Sequence, residues 1–311
     1  MMLISCLVAY IIPFELFLFA YSILGPLHYL TEISWLQKKN YYIKYKNDVW
    51  LFVIISAVLL ISVLSKNPKI NSIGTSLIFV CFMFALMVLF IEKTTIKLLL
   101  LFSMFFLFAV FGLSKVIAIQ IIFAILLPTI IHVFVFTGAF ILFGALKSRS
   151  TSGIISFVVF ILCALLCFFY RPEIIYPVGI GVQKTYDMFS VLNKTLSYIL
   201  GIGTITTMKD IYSNSGAVAI MRFIAFAYTY HYLNWFSKTS IIKWHDISRR
   251  RMISILALWI FSIAIYMYNY TVGFFTLFFL SVLHVFIEFP LNHITFIGIG
   301  KELKTIFKGN K

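Results

Sequence analysis

Nine continuous apolar segments constrain the fold of this chain more than any other feature of its sequence. A helix needs about 20 apolar residues to cross a bilayer, and these segments approach or exceed that length. Because their apolar residues run continuously rather than alternate, the segments lack the pattern of barrel strands. The predicted fold is therefore an all-α, polytopic transmembrane helix bundle. The nine predicted spans are residues 3–27, 48–65, 72–91, 96–113, 117–145, 153–170, 216–236, 252–270 and 272–290.

The composition agrees with a single integral membrane domain over residues 1–311. Hydrophobic residues make up 62% of the chain and charged residues 11%, whereas soluble domains carry about a quarter charged residues. The net charge of +15 does not point to nucleic acid, because no basic helix with interleaved aromatic residues is present. We expect contacts with membrane lipid and no nucleic-acid partner, and the sequence leaves the oligomeric state open.

The distribution of lysine and arginine predicts the orientation. Alternating loops, together with the C-terminal tail, place 17 of the 25 basic residues on one side of the membrane. Such an excess marks the cytoplasmic side, which predicts an external N-terminus and a cytoplasmic C-terminus, most simply in a bacterial inner membrane. On the outer side, the spacing of apolar residues in 182–200 predicts an amphipathic helix on the membrane surface.

Five of the six histidines fall at the predicted cytoplasmic ends of spans or in an inner loop, although they come from segments far apart in the sequence. His132 is the exception, since it lies near the middle of the fifth predicted span, and we interpret it as a structural histidine of the bundle. The five are His28 at the end of the first span, His231 at the end of the seventh, His245 in the loop 238–251, and His284 and His293 at the end of the ninth.

Two of these histidines have a glutamate one helical turn later, which indicates a metal site. His28 and Glu32, like His284 and Glu288, are four residues apart and so share a helical face. Histidine with carboxylate is the ligand set of non-haem iron, manganese or zinc, and we expect a transition metal, Fe(II) first and zinc second. The candidate ligands are His28, His231, His284 and His293, with His245 as a reserve ligand. The candidate catalytic groups are Glu32 and Glu288, which could also be ligands or hydrogen-bond partners of a ligating imidazole. The candidates for the substrate pocket are Tyr228, Tyr232, Trp235 and Trp244.

Two geometric expectations complete this hypothesis. A continuous helix would turn His293 away from His284, so Pro290 is predicted to break the helix and to aim His293 inward. The pairs His28/Glu32 and His284/Glu288 are predicted to meet around one ion, because both pairs have the same spacing and the same predicted depth.

The segments GPLHYLTE (25–32) and YHYLNW (230–235) resemble motifs of the bacterial β-carotene cleavage dioxygenases of the Brp/Blh group. The first motif of that family runs Gly-x-Pro-His-Gly-x-x-Asp-His, and Gly25, Pro26 and His28 occur here in a similar order. The sequence departs from this motif at two places. Tyr29 replaces the glycine that follows the histidine, and Thr31-Glu32 replaces the Asp-His pair. The resemblance covers about two dozen residues.

This resemblance implies a polytopic helical enzyme whose iron is held by histidines near one membrane face. It implies an oxygenase or related oxidoreductase that acts on a lipid-soluble substrate, and the predicted orientation puts its site at the cytoplasmic end of the bundle. His28 is the residue of this chain that the matched motif would make a ligand.

Two other classes of function remain open. A transporter or channel could use Glu15, His132 and Arg222 as a polar path, although a structural ion pair between Glu15 and Arg222 is the simpler interpretation. A haem-binding or scaffold subunit could hold haem between histidines of two spans.

Overall fold

In a computed structural model of the protein, every regular element of the described residues is helical, which confirms the all-α prediction. The structure describes residues 1–39, 48–65, 68–113, 116–172, 177–239, 243 and 245–309. The α-helices are α1 Met2–Ile11, α2 Pro13–Phe19, α3 Gly25–Lys39, α4 Asp48–Ser65, α5 Pro68–Phe90, α6 Thr94–Val110, α7 Ile117–Ile119, α8 Thr137–Lys147, α9 Thr151–Phe169, α10 Ile180–Tyr186, α11 Ser190–Leu200, α12 Asp210–Ser213, α13 Ser215–Ser237, α14 Arg249–Tyr268 and α15 Tyr270–Gly309.

Seven helical segments of the described residues are long and apolar enough to cross a membrane. The predicted spans 96–113 and 216–236 also form helices, α6 and α13, but they fall outside that set of seven. The first predicted span is divided, because α1 ends before Pro13 and a second helical run continues from there. The seven segments are Pro13–Lys38, Asp48–Ser65, Ile73–Phe90, Ile117–Lys147, Thr151–Phe169, Arg249–Tyr268 and Tyr270–Lys308.

The chain divides into two compact units, each built from separate stretches of sequence. Unit 1 contains Met1–His28 and Thr129–Gly273, and unit 2 contains Tyr29–Pro128 and Phe274–Lys311. The expectation of one domain over residues 1–311 stays a prediction. Each unit is described below by itself.

Helix α13 forms the core of unit 1. It packs against α1, α2, α9, α11 and α12, so almost every residue from Gly216 to Tyr232 is buried. These packed helices explain how the arginine and the tyrosines of this stretch can be buried. At its N-terminus the side chain of Asn214 accepts hydrogen bonds from the backbone N–H groups of Gly216 and Ala217, at 2.9 and 3.3 Å.

Two π-helical segments are associated with histidines of unit 1: one precedes His28, and the other contains His132. One covers Ala20–Leu24, directly before α3, and the other covers Gln120–Phe136. Each is associated with a proline, Pro26 or Pro128, and the residue four positions before that proline lies in the π segment. Since proline has no N–H and its ring crowds that carbonyl, the wider turn relieves the clash. Such turns are common at functional sites.

The predicted surface helix of residues 182–200 is helical, although a short 3-10 turn at Asp187–Phe189 separates α10 from α11. It packs on the core of unit 1. The Tyr186 ring lies 5.0 Å from the Phe14 ring, and the Asn193 amide donates to the Ala217 carbonyl at 3.3 Å. Its location on the outer membrane surface stays a prediction.

Pro290 does not break the helix that contains it, so that prediction was wrong. Helix α15 is 40 residues long and continues through Pro290 without interruption. In a membrane helix a proline is tolerated where neighbouring groups satisfy the freed carbonyl. His293 instead brings its Nε2 within 3.3 Å of the Phe82 carbonyl oxygen of α5, in unit 2.

A buried ion pair joins two helices of unit 2. The Lys97 ammonium lies 2.5 Å from the Asp48 carboxylate, and both side chains are almost fully buried. Asp48 begins α4 and Lys97 lies in the first turn of α6, so the pair holds the N-terminal ends of these helices together. The predicted alternation of spans likewise puts the N-terminal ends of α4 and α6 on the same side of the membrane.

Candidate metal centre

Three histidines of unit 1, His28, His132 and His231, come together in what we call the three-histidine cluster. One ring nitrogen from each lies within 4.8 Å of the corresponding nitrogens of the other two. All three side chains are buried, with at most 6% of their surface exposed. The cluster therefore presents three imidazoles to one small volume inside the protein.

The spacing within this cluster suits ligands of one metal ion. Nε2 of His28 lies 3.0 Å from Nε2 of His231. Two imidazole nitrogens bound to a metal at about 2.1 Å and at right angles to each other are about 3.0 Å apart. The His132 ring lies 4.9 Å from the His231 ring, centroid to centroid, at an interplanar angle of 63°. Small rotations of these rings would place three nitrogens around one ion.

Thr137 orients the imidazole of His231. Its Oγ1 lies 2.8 Å from Nδ1 of His231, in the buried interior of unit 1. When Nδ1 donates its proton to Thr137, Nε2 carries the lone pair and points towards His28. A partner of this kind fixes the tautomer and the ring orientation that a metal ligand needs.

We expect the substitution Thr137→Val to weaken metal binding at the three-histidine cluster about 10- to 100-fold, because valine keeps the shape but removes the hydrogen bond. Affinity would be measured by competition with a chelator. Thr295→Val is the matched control, since the buried Thr295 hydroxyl donates to its own helix at the Leu291 carbonyl. Equal affinities for the Thr137→Val and unchanged proteins would contradict a role for Thr137 in orienting a ligand.

Aromatic residues of α13 enclose the cluster. The ring of His28 lies 5.1 Å from the Tyr232 ring and 5.6 Å from the Trp235 ring. The Tyr228 ring lies 6.3 Å from the Tyr232 ring and extends the aromatic wall towards Phe17 of α2, at 5.0 Å. These three residues of the predicted substrate pocket thus lie next to one another, and two of them contact a candidate ligand.

In unit 2, Glu32, His284 and Glu288 form a second group, here called the Glu–His cluster. A carboxylate oxygen of Glu32 lies within 4.8 Å of a His284 ring nitrogen, and Glu288 follows His284 by one turn of α15. The three side chains are at most 5% exposed. The Tyr29 ring lies 5.6 Å from the His284 ring. The predicted pair His284/Glu288 belongs to this group, and both residues lie in the continuous helix α15.

The remaining predicted site residues lie apart from these groups or outside the described structure. His293 contacts the Phe82 carbonyl, and neither it nor the exposed His245 belongs to a metal-binding group of the described residues. Trp244 lies outside the described residues. The predicted meeting of His28 and His284 joins residues of different units and stays a prediction.

Glu15 and Arg222 do not form the expected ion pair in the described part of unit 1. Arg222 is almost fully buried, and its Nε donates to the Tyr10 carbonyl oxygen at 3.3 Å. Its guanidinium carbon also lies 5.1 Å from the centre of the Tyr10 ring. The interpretation of Glu15 and Arg222 as an ion pair was therefore wrong, and α1 supplies the contacts of this arginine.

Sequence reasoning assigned His132 a structural role, whereas the structure places it with His28 and His231. The sequence does contain a signal that His28 and His132 are alike. Each follows a proline closely, Pro26 by two residues and Pro128 by four. Both prolines accompany π-helical segments, which change the direction of the side chains that follow.

Comparisons of the chain with models of protein families, with curated proteins and with solved structures found no match. The buried groups of histidine and glutamate in apolar helices therefore carry the functional argument.

Proposed function

We propose that the protein is an integral membrane, metal-dependent oxygenase whose iron is held by the three-histidine cluster. The observation that carries this proposal is the position of His28, His132 and His231, with one nitrogen of each within 4.8 Å of the others. A facial triad of two histidines and one carboxylate with open positions is typical of non-haem Fe(II) oxygenases, and here a third histidine takes the place of the carboxylate. The three-histidine cluster would accept other transition metals as well, and zinc is the second candidate.

The surroundings of the cluster support a lipid-soluble substrate. The rings of Tyr232 and Trp235 lie 5.1 and 5.6 Å from the His28 ring, and the segments that carry His28 and His132 are apolar enough to cross a membrane. A hydrophobic molecule could reach such a site from the bilayer without crossing water. Bound iron would supply activation of dioxygen, while the protein positions the substrate and keeps the site dry.

The resemblance of residues 25–32 to β-carotene cleavage dioxygenases makes a polyene the first substrate to test. Oxidative cleavage of one carbon–carbon double bond by O2 gives two carbonyl groups, takes up both oxygen atoms and needs no further reductant. We further propose that the site opens towards the cytoplasmic face of a bacterial inner membrane, with an external N-terminus, as the lysine and arginine distribution favours.

The test uses purified protein in detergent, loaded with Fe(II) under anaerobic conditions and then exposed to β-carotene and O2. We expect loss of the polyene absorbance and two carbonyl fragments on chromatography. The variant His231→Leu serves as the control and should be inactive. Iron-loaded protein that leaves β-carotene and shorter polyenes unchanged would contradict the oxygenase, and protein that binds no transition metal would contradict the metal site itself.

The geometry favours non-haem iron over haem. Axial histidines of haem lie on opposite faces of the porphyrin, so their nitrogens are separated by about twice a metal–nitrogen bond of roughly 2.0 Å. The Nε2 atoms of His28 and His231 are 3.0 Å apart, which leaves no space for a macrocycle between them. A Soret band in the purified protein would reverse this preference.

A transporter remains the second class of function, and His132 and Arg222 are the residues that bear on it. His132 belongs to the three-histidine cluster, and Arg222 contacts Tyr10. These contacts account for the burial of His132 and Arg222 without a polar transport path through the bundle, so we favour the enzyme.

A further inference from the structure

A row of polar side chains follows one side of α15 in unit 2. His284, Glu288 and Asn292 are spaced by four residues in a continuous α-helix, so they project from the same side at successive turns. They are 5%, 1% and 1% exposed. Three buried polar residues in one row are costly in a helix of high hydropathy, which calls for a ligand or a partner.

Glu32 of α3 brings a second carboxylate to this row. Its carboxylate oxygen lies within 4.8 Å of a ring nitrogen of His284, the residue one turn before Glu288 on α15. Both carboxylates are at most 2% exposed. Transfer of each ionised carboxylate from water into such a site costs several kcal/mol, and two like charges repel each other as well. A cation offsets both terms at once.

Asn292 adds an independent observation. Its side-chain nitrogen and oxygen are both buried, and neither has a hydrogen-bond partner among the residues that the structure describes. An amide left in this way costs about 1–3 kcal/mol. An amide oxygen one turn from Glu288 is a suitable further ligand for a hard or borderline cation.

We propose that Glu32, His284 and Glu288 bind a divalent cation in unit 2, with Asn292 as an additional oxygen ligand. Two carboxylates with one imidazole match Mn²⁺ or Fe²⁺, because carboxylates suit manganese and imidazole suits iron. This proposal does not depend on the oxygenase proposal, because none of these four residues belongs to the three-histidine cluster. The competing explanation is a pair of carboxyl groups that share one proton without a metal.

The experiment isolates this site by removing the other. In the variant His132→Leu/His231→Leu, His28 is left unchanged because it precedes Glu32 by one turn of α3. Free Mn²⁺ is then measured by electron paramagnetic resonance during titration of the purified protein in detergent. We expect about one Mn²⁺ bound per chain, since Glu32, His284 and Glu288 remain. No bound Mn²⁺ would overturn the proposal and favour the shared proton.

Addition of Glu32→Gln and Glu288→Gln to that background should weaken Mn²⁺ binding more than about 100-fold, because glutamine keeps the shape and removes both charges. Glu15→Gln is the matched control, since Glu15 is a half-buried carboxylate of α2 in unit 1, and should leave affinity unchanged. Mn²⁺ affinity retained in the Glu32→Gln/Glu288→Gln protein would overturn the proposal. The first titration needs neither glutamate variant and tests the site even if those variants do not fold.

Discussion

Replacement of His132 by leucine is expected to remove about one equivalent of bound transition metal per chain. Leucine matches the buried, apolar surroundings, so the main change is the loss of one imidazole nitrogen from a set of three. Because loss of a group that merely orients a ligand weakens binding 10- to 100-fold, loss of a ligand should cost more than about 100-fold. Metal content after gentle purification, followed by chelator competition, gives the measurement.

His245→Leu is the control for this prediction, because His245 is exposed and outside both candidate metal-binding groups of the described residues. It should bind as much metal as the unchanged protein. A His132→Leu protein that keeps all its metal at unchanged affinity would restore the structural role that the sequence favoured for His132.

The second large effect is expected at Gly216. A Cβ at this position would lie 2.5 Å from the Gly203 backbone nitrogen and 2.7 Å from its Cα, so alanine would collide with backbone that has no side-chain rotamer to change. Gly203 itself has φ +69°, a conformation that other residues rarely adopt. We expect Gly216→Ala to destabilise the protein by about 3 kcal/mol or more, since the start of α13 must move.

Thermal unfolding in detergent should show this as a fall of about 5–10 °C in the midpoint. The matched control is Gly144→Ala in α8, where a Cβ would meet no atom within 4 Å. That change should be neutral or slightly stabilising, because alanine is the better helix former. Equal midpoints for the Gly216→Ala and unchanged proteins would show that the close approach of the two glycines is not required.

The helical class and most of the spans could be predicted because continuous apolar segments leave few alternatives in a bilayer. The ends of the spans could not be predicted from hydropathy alone. Glu32 and Lys38 end the apolar run after His28, yet α3 continues to Lys39 and buries Glu32. In a sequence, polar residues that other helices bury are indistinguishable from polar residues at the end of a span, because the sequence does not show which residues the rest of the protein covers.

The same limitation affected the site. His28, His231, His284 and Glu288 were singled out by their spacing and predicted depth, and all four belong to the buried groups or lie in contact with their members. His132 was set aside because a straight fifth span would have put it at another depth. The π-helical segment and the continuation of α3 beyond His28 change that geometry, and neither follows from apolar periodicity.

The three histidines of the three-histidine cluster lie far apart along the chain, and this has a consequence for biosynthesis. A ribosome makes the N-terminal helices first, so residues 28 and 132 reach the membrane well before residue 231. Full coordination becomes available only after α13 has been made and enclosed by α1, α2 and α9. Under the proposed function, metal loading is a late event, and the amount of bound metal in cells would report how many newly made chains have completed the core of unit 1.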